Sequence, residues 1–362
     1  MVSATELINV LKPSLPTADK ILPYLRLIDA TNRYSNNGPL VTELEKRMAK
    51  FFNVSPDCVV AVDNATDALT GSLSTAEQNG EDWYLPSWTF VATSLAAFHS
   101  GIRYKFCDID SSVRANFPVD CKNAIDVLPF GAGSRSYSKY NCLENLVIDG
   151  AASLQNLENF AFPEFSTALV VSLHATKMFG SGEGGFVVFN SNVWAERFRL
   201  WTKFGMNLSR VPVLAGTNCK MSEYTAAVAL ASLDEFDDIK SKWSLLNGKA
   251  REISSIHSLR VLEPLSPQTP SVYWNLEIPQ EGLLNMVVKV LEQRGIETRK
   301  WWPIATHSLH FFPKETKSHE LYPQSIYRAS TTLGLPLHLS MDDFDFERIS
   351  MALSEVAKYL EA

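Results

Sequence analysis

The chain lacks the features that would assign it to a membrane, a nucleic acid or a disulfide scaffold. None of its 362 residues fall in an apolar run approaching the roughly 18 needed to cross a bilayer. The start, Met1 to Leu11, has no basic stretch leading into an apolar one, so no secretory signal is read there. The formal net charge is −7 and there is no long basic run, which removes the electrostatic footing for nucleic acid. The five cysteines (Cys58, Cys107, Cys121, Cys142, Cys219) are scattered. They show neither metal-ligand spacing nor a disulfide framework, so reduced thiols in a cytoplasmic protein are expected, with no bound metal. No internal repeat or low-complexity linker is present. A hydrophobic fraction of 46% and a charged fraction of 20% are ordinary for a soluble globular chain. The length admits a large domain plus a smaller one.

One stretch organises the rest. Ser172-Leu173-His174-Ala175-Thr176-Lys177 runs through Gly180 and Gly182 to Glu183-Gly184-Gly185. It lies between two apolar runs, Ala168–Leu173 and Phe186–Phe189, which read as buried strands. Glycines at this density let the backbone turn tightly or approach a ligand. A lysine at the lip of two buried strands is placed to lose water, which lowers its pKa and makes the amine a nucleophile. A plain β-turn with a solvated lysine is the other reading of these residues alone.

In chain order, Pro13, Pro16 and Pro23 break one or two short helices before a turn at Asn36-Asn37-Gly38-Pro39. A helix is expected over Val41–Phe52 and a strand over Cys58–Val62. Asn64-Ala65-Thr66-Asp67 then opens a helix, either as an ordinary cap or as an anion site of free amides plus a hydroxyl. Strands are expected at Trp83–Leu85, Tyr104–Asp108 and Leu128–Phe130, with a helix at Val91–His99. Phe90 leaves the first of these strands, as core or as a platform for a flat ring. Leu146–Asp149 is a strand ending on an acid, before Gly150-Ala151-Ala152; the acid is a helix cap or a partner for a ring nitrogen. Helices follow at Arg197–Phe204, Met221–Phe236 and Leu245–Ile256. The pattern then changes to a strand at Val272–Ile278, a helix at Leu283–Gln293, a strand at Ile296–Trp302 and a helix at Asp342–Leu360. Alternating strands and helices predict an α/β fold with a mostly parallel sheet over 1–244 and a smaller α+β domain over 245–362. A lysine on a glycine-rich turn, an acid after a strand, a helix start for phosphate and a ring platform jointly point to pyridoxal 5'-phosphate.

These residues resemble a family, the sugar aminotransferases of the DegT/DnrJ/EryC1/StrS type within the fold-type I aminotransferases. The resemblance runs from about Asn36 to the C-terminus. Its Ser-x-His-x-x-Lys and Gly-Glu-Gly-Gly are Ser172–Lys177 and Gly182–Gly185. Its Asn-Gly-Thr-x-Ala-Leu is Asn64–Leu69, its Pro-Ser-x-Thr-aromatic is Pro86–Phe90, and its Gly-x-Asn-x-Arg-Met-x-Glu is Gly216–Glu223. Thr298-Arg299-Lys300-Trp301-Trp302 is similar to the substrate side of some members. The resemblance implies that Lys177 bonds the cofactor's aldehyde and that Asp149 holds its ring nitrogen protonated. It further implies that Ala65, Thr66 and Ser172 hold the phosphate and that Phe90 stacks on the ring. Asn218 would complete the phosphate site of a neighbouring subunit in a homodimer. Lys220, Arg299, His307 and His310 fall where the family meets a nucleotide-linked keto sugar, with glutamate as amino donor. Three departures stand out. The family's glycine is Ala65, its arginine is Lys220, and its Gln or His after the acid is Ala152, leaving Ser153 as a candidate for the ring hydroxyl. An ungapped match would put Gly150 in the acid's place. Two other activities share the fold. One is a dehydratase, in which the family's lysine is a histidine. The other is a non-catalytic, regulatory member.

Overall fold

The computed structural model describes residues 7–262, 264–279, 281–312 and 319–360. Seven strands build the central sheet: β1 (Val59–Val62), β2 (Trp83–Pro86), β3 (Tyr104–Cys107), β4 (Asn123–Val127), β5 (Asn145–Asp149), β6 (Ser166–Ser172) and β7 (Gly185–Phe189). Their order is β1-β7-β6-β5-β4-β2-β3. Only β7 runs against its neighbours; the other pairs are parallel. The strands read as unbroken apolar runs because both faces are covered. Leu146, Ile148, Leu169 and Val171 pack on one face, and Val147, Ala168 and Val170 on the other.

Helices α1 (Ala18–Thr31), α2 (Pro39–Phe52), α3 (Ala65–Thr75), α4 (Val91–His99), α5 (Asn192–Trp201), α6 (Glu223–Leu233) and α7 (Phe236–Ile256) flank this sheet. A second, two-stranded antiparallel sheet pairs β8 (Trp274–Glu277) with β9 (Thr332–Leu335). It sits with α8 (Glu281–Gln293), α9 (Pro323–Thr331) and α10 (Asp343–Leu360). Residue 245 falls within α7, whose Trp243, Ala250 and Ile253 belong to the same core as Ile148 and Leu276. Among the described residues no helix is long and apolar enough to cross a membrane.

The sequence reading departs from the structure in five places. Pro23 sits inside α1 without breaking it. The helix expected over Arg197–Phe204 lies earlier, at α5, where Ser191 caps the Trp194 amide. The single helix expected over Met221–Phe236 divides at Asp234-Glu235. Those acids are drawn to Tyr24, Arg47 and Lys20 on the first two helices, while Phe236 stacks on Phe179 at 4.1 Å. No strand forms over Ile296–Trp302, which makes only isolated bridges at Ile296 and Arg299. There the Trp301 indole lies over Gly334 of β9 so closely that a Cβ would overlap its nitrogen. Leu128–Phe130 is likewise no strand. The strand is β4, one step earlier, and the chain then turns sharply, with Phe130 at φ 54°.

The link from β4 to β5 bears on stability. Parallel neighbours are usually joined through a helix. Residues 128–144 carry only a single 3-10 turn at Pro129–Gly131. A buried ion cluster fastens this loop instead. Asp126, on β4, is 0% exposed. Its Oδ2 accepts from Tyr137 Oη at 2.7 Å and lies 2.9 Å from Arg135 Nε. The Arg135 guanidinium also sits 5.1 to 5.7 Å from the ring centres of Phe117, Tyr137 and Tyr140, where ring faces attract a cation. Burial pushes the Tyr137 phenol up, so it stays a donor.

Candidate active site

Ala65, Thr66, Phe90, Asp149, Ser172 and Lys177 stand at or just after the C-terminal end of a strand or at a helix start, where α/β sheets leave a crevice. Lys177 is on the turn after β6. That turn is laced by backbone bonds from Ala175 N to Gly182 O (2.8 Å), Leu173 N to Gly184 O (2.9 Å) and Ser181 N to Leu173 O (2.6 Å). Ser172 Oγ accepts from His174 N at 3.2 Å, and His174 Nδ1 meets Thr176 Oγ1 at 2.8 Å. Asp149 ends β5. At 6% exposure its carboxylate is held by Thr93 Oγ1, which donates to Oδ2 at 2.6 Å, and by Ala151 N, which donates to Oδ1 at 3.1 Å. Burial raises its pKa, while those two donors and the Lys177 charge pull it back down. Gly150 is not an alternative position for the acid. A Cβ there would meet the Leu169 and Leu157 side chains at 3.0 and 3.4 Å, inside the core.

Asn64 caps α3, its Oδ1 accepting from Asp67 N at 2.8 Å. The amides of Ala65 and Thr66 are the first two of that helix, so no carbonyl precedes them within it. Gly185 comes so close that a Cβ would lie 3.1 Å from Ala65 N, which keeps this wall pure backbone. The same corner is acidic. Burial, then Asp67 and Glu183, push the Asp63 carboxyl up to about 6. The folded chain then binds more protons at Asp63 than the unfolded chain between the ordinary carboxylate range and about pH 6. The stability this group allows is therefore highest at low pH and declines as pH rises through that window. Asp63→Asn is expected to raise the melting temperature at about pH 7, with the difference from wild type closing below about pH 4. Melting curves across pH check this, and a gain that persisted in acid would refute it.

Asn64, Ala65, Thr66, Phe90, Asp149, Ser172, Lys177 and Arg299 all line one cavity of about 370 Å³. Ala152 lines it too, whereas Ser153 is buried with its hydroxyl toward Leu128 O, so Ser153 does not face the cavity. Nor does His307, which is 0% exposed. Its ring is bonded to Ser87 Oγ and Ser308 Oγ and lies against Tyr322. His310 is exposed beside Phe311, outside the cavity lining. Asn218 and Lys220 also lie outside their own cleft. Lys220 Nζ donates to Asn218 Oδ1 and sits 5.5 Å from the Phe204 ring centre. Glu223, at the end of the same motif, caps α2 by accepting from Leu40 N and Val41 N at 2.7 and 3.0 Å. Three residues with no site role in the sequence reading are central here. Thr93 holds Asp149, Phe130 stacks on Trp302 at 4.2 Å, and Tyr273 reaches Lys177. The only signal for Tyr273 was its place in an alternating strand, which reads as core.

The cavity's chemistry fits pyridoxal phosphate. It holds an amine for an aldehyde, a buried carboxylate bonded to one hydroxyl and one backbone amide, helix amides for a phosphate and a ring for a ring. The comparisons point the same way. Over 249 residues the chain is 30% identical to the dTDP-4-amino-4,6-dideoxy-D-glucose transaminase of Shigella dysenteriae. That alignment spans 64% of this chain and 65% of the relative, just under two thirds of its length. Over 358 residues it is 24% identical to the spore coat polysaccharide biosynthesis protein SpsC of Bacillus subtilis, spanning 89% and 91%. Among solved structures, DesI, crystallised in the presence of its TDP-sugar product, superposes with a TM-score of 0.83 at 26% identity, covering 97% of this chain and 93% of that one. Residues 17–127 and 151–354 match one family model; the interval between them holds the crossover without an α-helix and Asp149. By that match over most of its length, the chain belongs to the DegT/DnrJ/EryC1/StrS aminotransferase family.

Proposed function

We propose that this protein is a pyridoxal 5'-phosphate-dependent aminotransferase that moves an amino group from glutamate to a keto-deoxysugar carried on a nucleoside diphosphate. The observation that supports this most directly is the convergence of Lys177, Asp149, the α3 amides and Phe90 on one cavity. When bound, the cofactor supplies an aldehyde carbon and an electron-withdrawing ring. Lys177 anchors it through Nζ. With its amine free, Lys177 would take up and deliver a proton at the substrate carbon. Asp149 would hold a proton on the ring nitrogen, a cation that would offset the cost of the buried carboxylate. Ala65, Thr66 and Ser172 bind the phosphate, and Phe90 covers the ring. Arg299 lies with its guanidinium 5.1 Å from the Trp301 ring centre at the cavity edge and meets the substrate's charge. A nucleotide-linked sugar is favoured by the names of the Shigella relative and of DesI. The test is glutamate-dependent amination of dTDP-linked keto-deoxysugars, with 2-oxoglutarate formed in equal amount and ping-pong kinetics. Sequential kinetics, or turnover without an amino donor, would contradict it.

The site is shared in a homodimer on this reading. Asn218 and Lys220 complete the cleft of a second copy across a surface that exposes Phe204, Val211, Val213 and Leu208, the last fully. Monomers rarely leave so many neighbouring apolar side chains in water. Leu208→Asp is expected to shift the protein toward monomer and to weaken cofactor retention, read by light scattering and by visible absorbance. A monomeric wild type would contradict the shared site. The free cysteines and the absence of a membrane-spanning helix among the described residues accord with work in the cytoplasm.

A further inference from the structure

We infer that Tyr273 is a catalytic residue, holding the Lys177 amine in place whenever that amine is not bonded to the cofactor. The inference rests on the aminotransferase reading. Lys177 Nζ donates to Tyr273 Oη at 3.1 Å. An acceptor at that point takes one N–H and leaves the rest of the amine turned to the cleft. A lysine that must leave the cofactor, collect a proton and deliver it to another carbon needs such a resting place. A free four-carbon chain otherwise samples many rotamers.

The surroundings show that the phenol is positioned and not merely nearby. Tyr273 comes from the segment before β8, 96 residues beyond Lys177. That segment is pinned residue by residue. Pro270 O accepts from the Gln155 and Asn156 amides, each at 3.0 Å. Ser271 exchanges two bonds of 2.9 Å with buried Asn247, and its hydroxyl donates to Phe130 O at 2.7 Å. The same hydroxyl accepts from Tyr273 N at 3.0 Å. The ring is wedged edge-on between Phe130 and Trp301, with centres 5.5 and 5.1 Å away. At 9% exposure little of the side chain reaches solvent. This much fixed structure around one hydroxyl is what preorganisation requires.

Tyr273→Phe tests the assignment, because it keeps both ring contacts and removes only the acceptor. The expected result is a kcat lower by about 10- to 100-fold, with KM for glutamate within about 2-fold and an unchanged melting temperature. A second readout needs no turnover. In cofactor-free protein, reductive methylation of Lys177 by formaldehyde and a borane, followed by mass spectrometry, is expected to run about 5-fold faster in the variant, the factor one ordinary hydrogen bond contributes. An unchanged kcat overturns the catalytic role even if labelling changes. Unchanged labelling overturns the contact, and a raised KM with full kcat makes the residue a binding element only. Failure of the activity reading would look different, as a wild-type protein that binds the cofactor yet never transaminates.

Discussion

Lys177→Ala is expected to abolish the visible absorbance of the cofactor-loaded protein and to lower turnover by about 10⁴-fold or more, because one change removes both the covalent anchor and the proton carrier. The fold should survive. Lys177 sits on a turn held by backbone bonds among Leu173, Ala175, Gly182 and Gly184, none of which uses its side chain. The hydrogen bond from its amine to Tyr273 stabilises little by itself. Lys177→Arg separates charge from chemistry, since it keeps a cation that attracts Asp149 but cannot bond an aldehyde in the same way. It should therefore be nearly as inactive. Normal turnover in the alanine variant would remove Lys177 from the mechanism.

The second large effect is on stability and lies away from the cleft. Asp126→Ala should destabilise the protein by about 3–5 kcal/mol, because the Arg135 charge would be left largely buried without its counter-ion. The Arg135 side chain is only 13% exposed and Asp126 is fully buried. The loss should reach the active site, since the loop that Arg135 ties down also carries Phe130, whose ring meets Trp88, Tyr273 and Trp302. The double variant Asp126→Leu with Arg135→Met should be much milder, as apolar replacement of a buried ion pair is often neutral or stabilising. Urea denaturation of the three proteins decides it. Equal losses in the single and double variants would show that the cluster matters through shape and not charge.

What was legible from sequence follows a physical line. Lys177, Ser172, Asp149 and Thr66 stand at ends of strands or at a helix start, so an apolar run followed by a polar or small residue marked each of them. Tyr273 and Thr93 were not legible. Each reaches the site only because distant elements converge, and each sits in a locally ordinary pattern. β4 was missed because Asn123 and Asp126 interrupt its apolar run; both are buried and paired, which only the tertiary structure supplies. His307 misled in the opposite direction. A histidine in a substrate-side motif invites a ligand role, yet its nitrogens are taken by Ser87 and Ser308 in the interior. The strand expected over Leu146–Asp149 is β5, which begins one residue earlier and ends on the same acid, while a Cβ at Gly150 would press on the Leu169 and Leu157 side chains.

The measurement that bears most directly on the central claim is the absorption spectrum of the purified protein supplied with pyridoxal phosphate, before and after glutamate. The account predicts a visible band that requires Lys177 and that glutamate shifts to the shorter-wavelength, aminated form of the cofactor. A protein that shows no band with the cofactor in excess would contradict the assignment of Lys177, Asp149 and the α3 amides to one cofactor site.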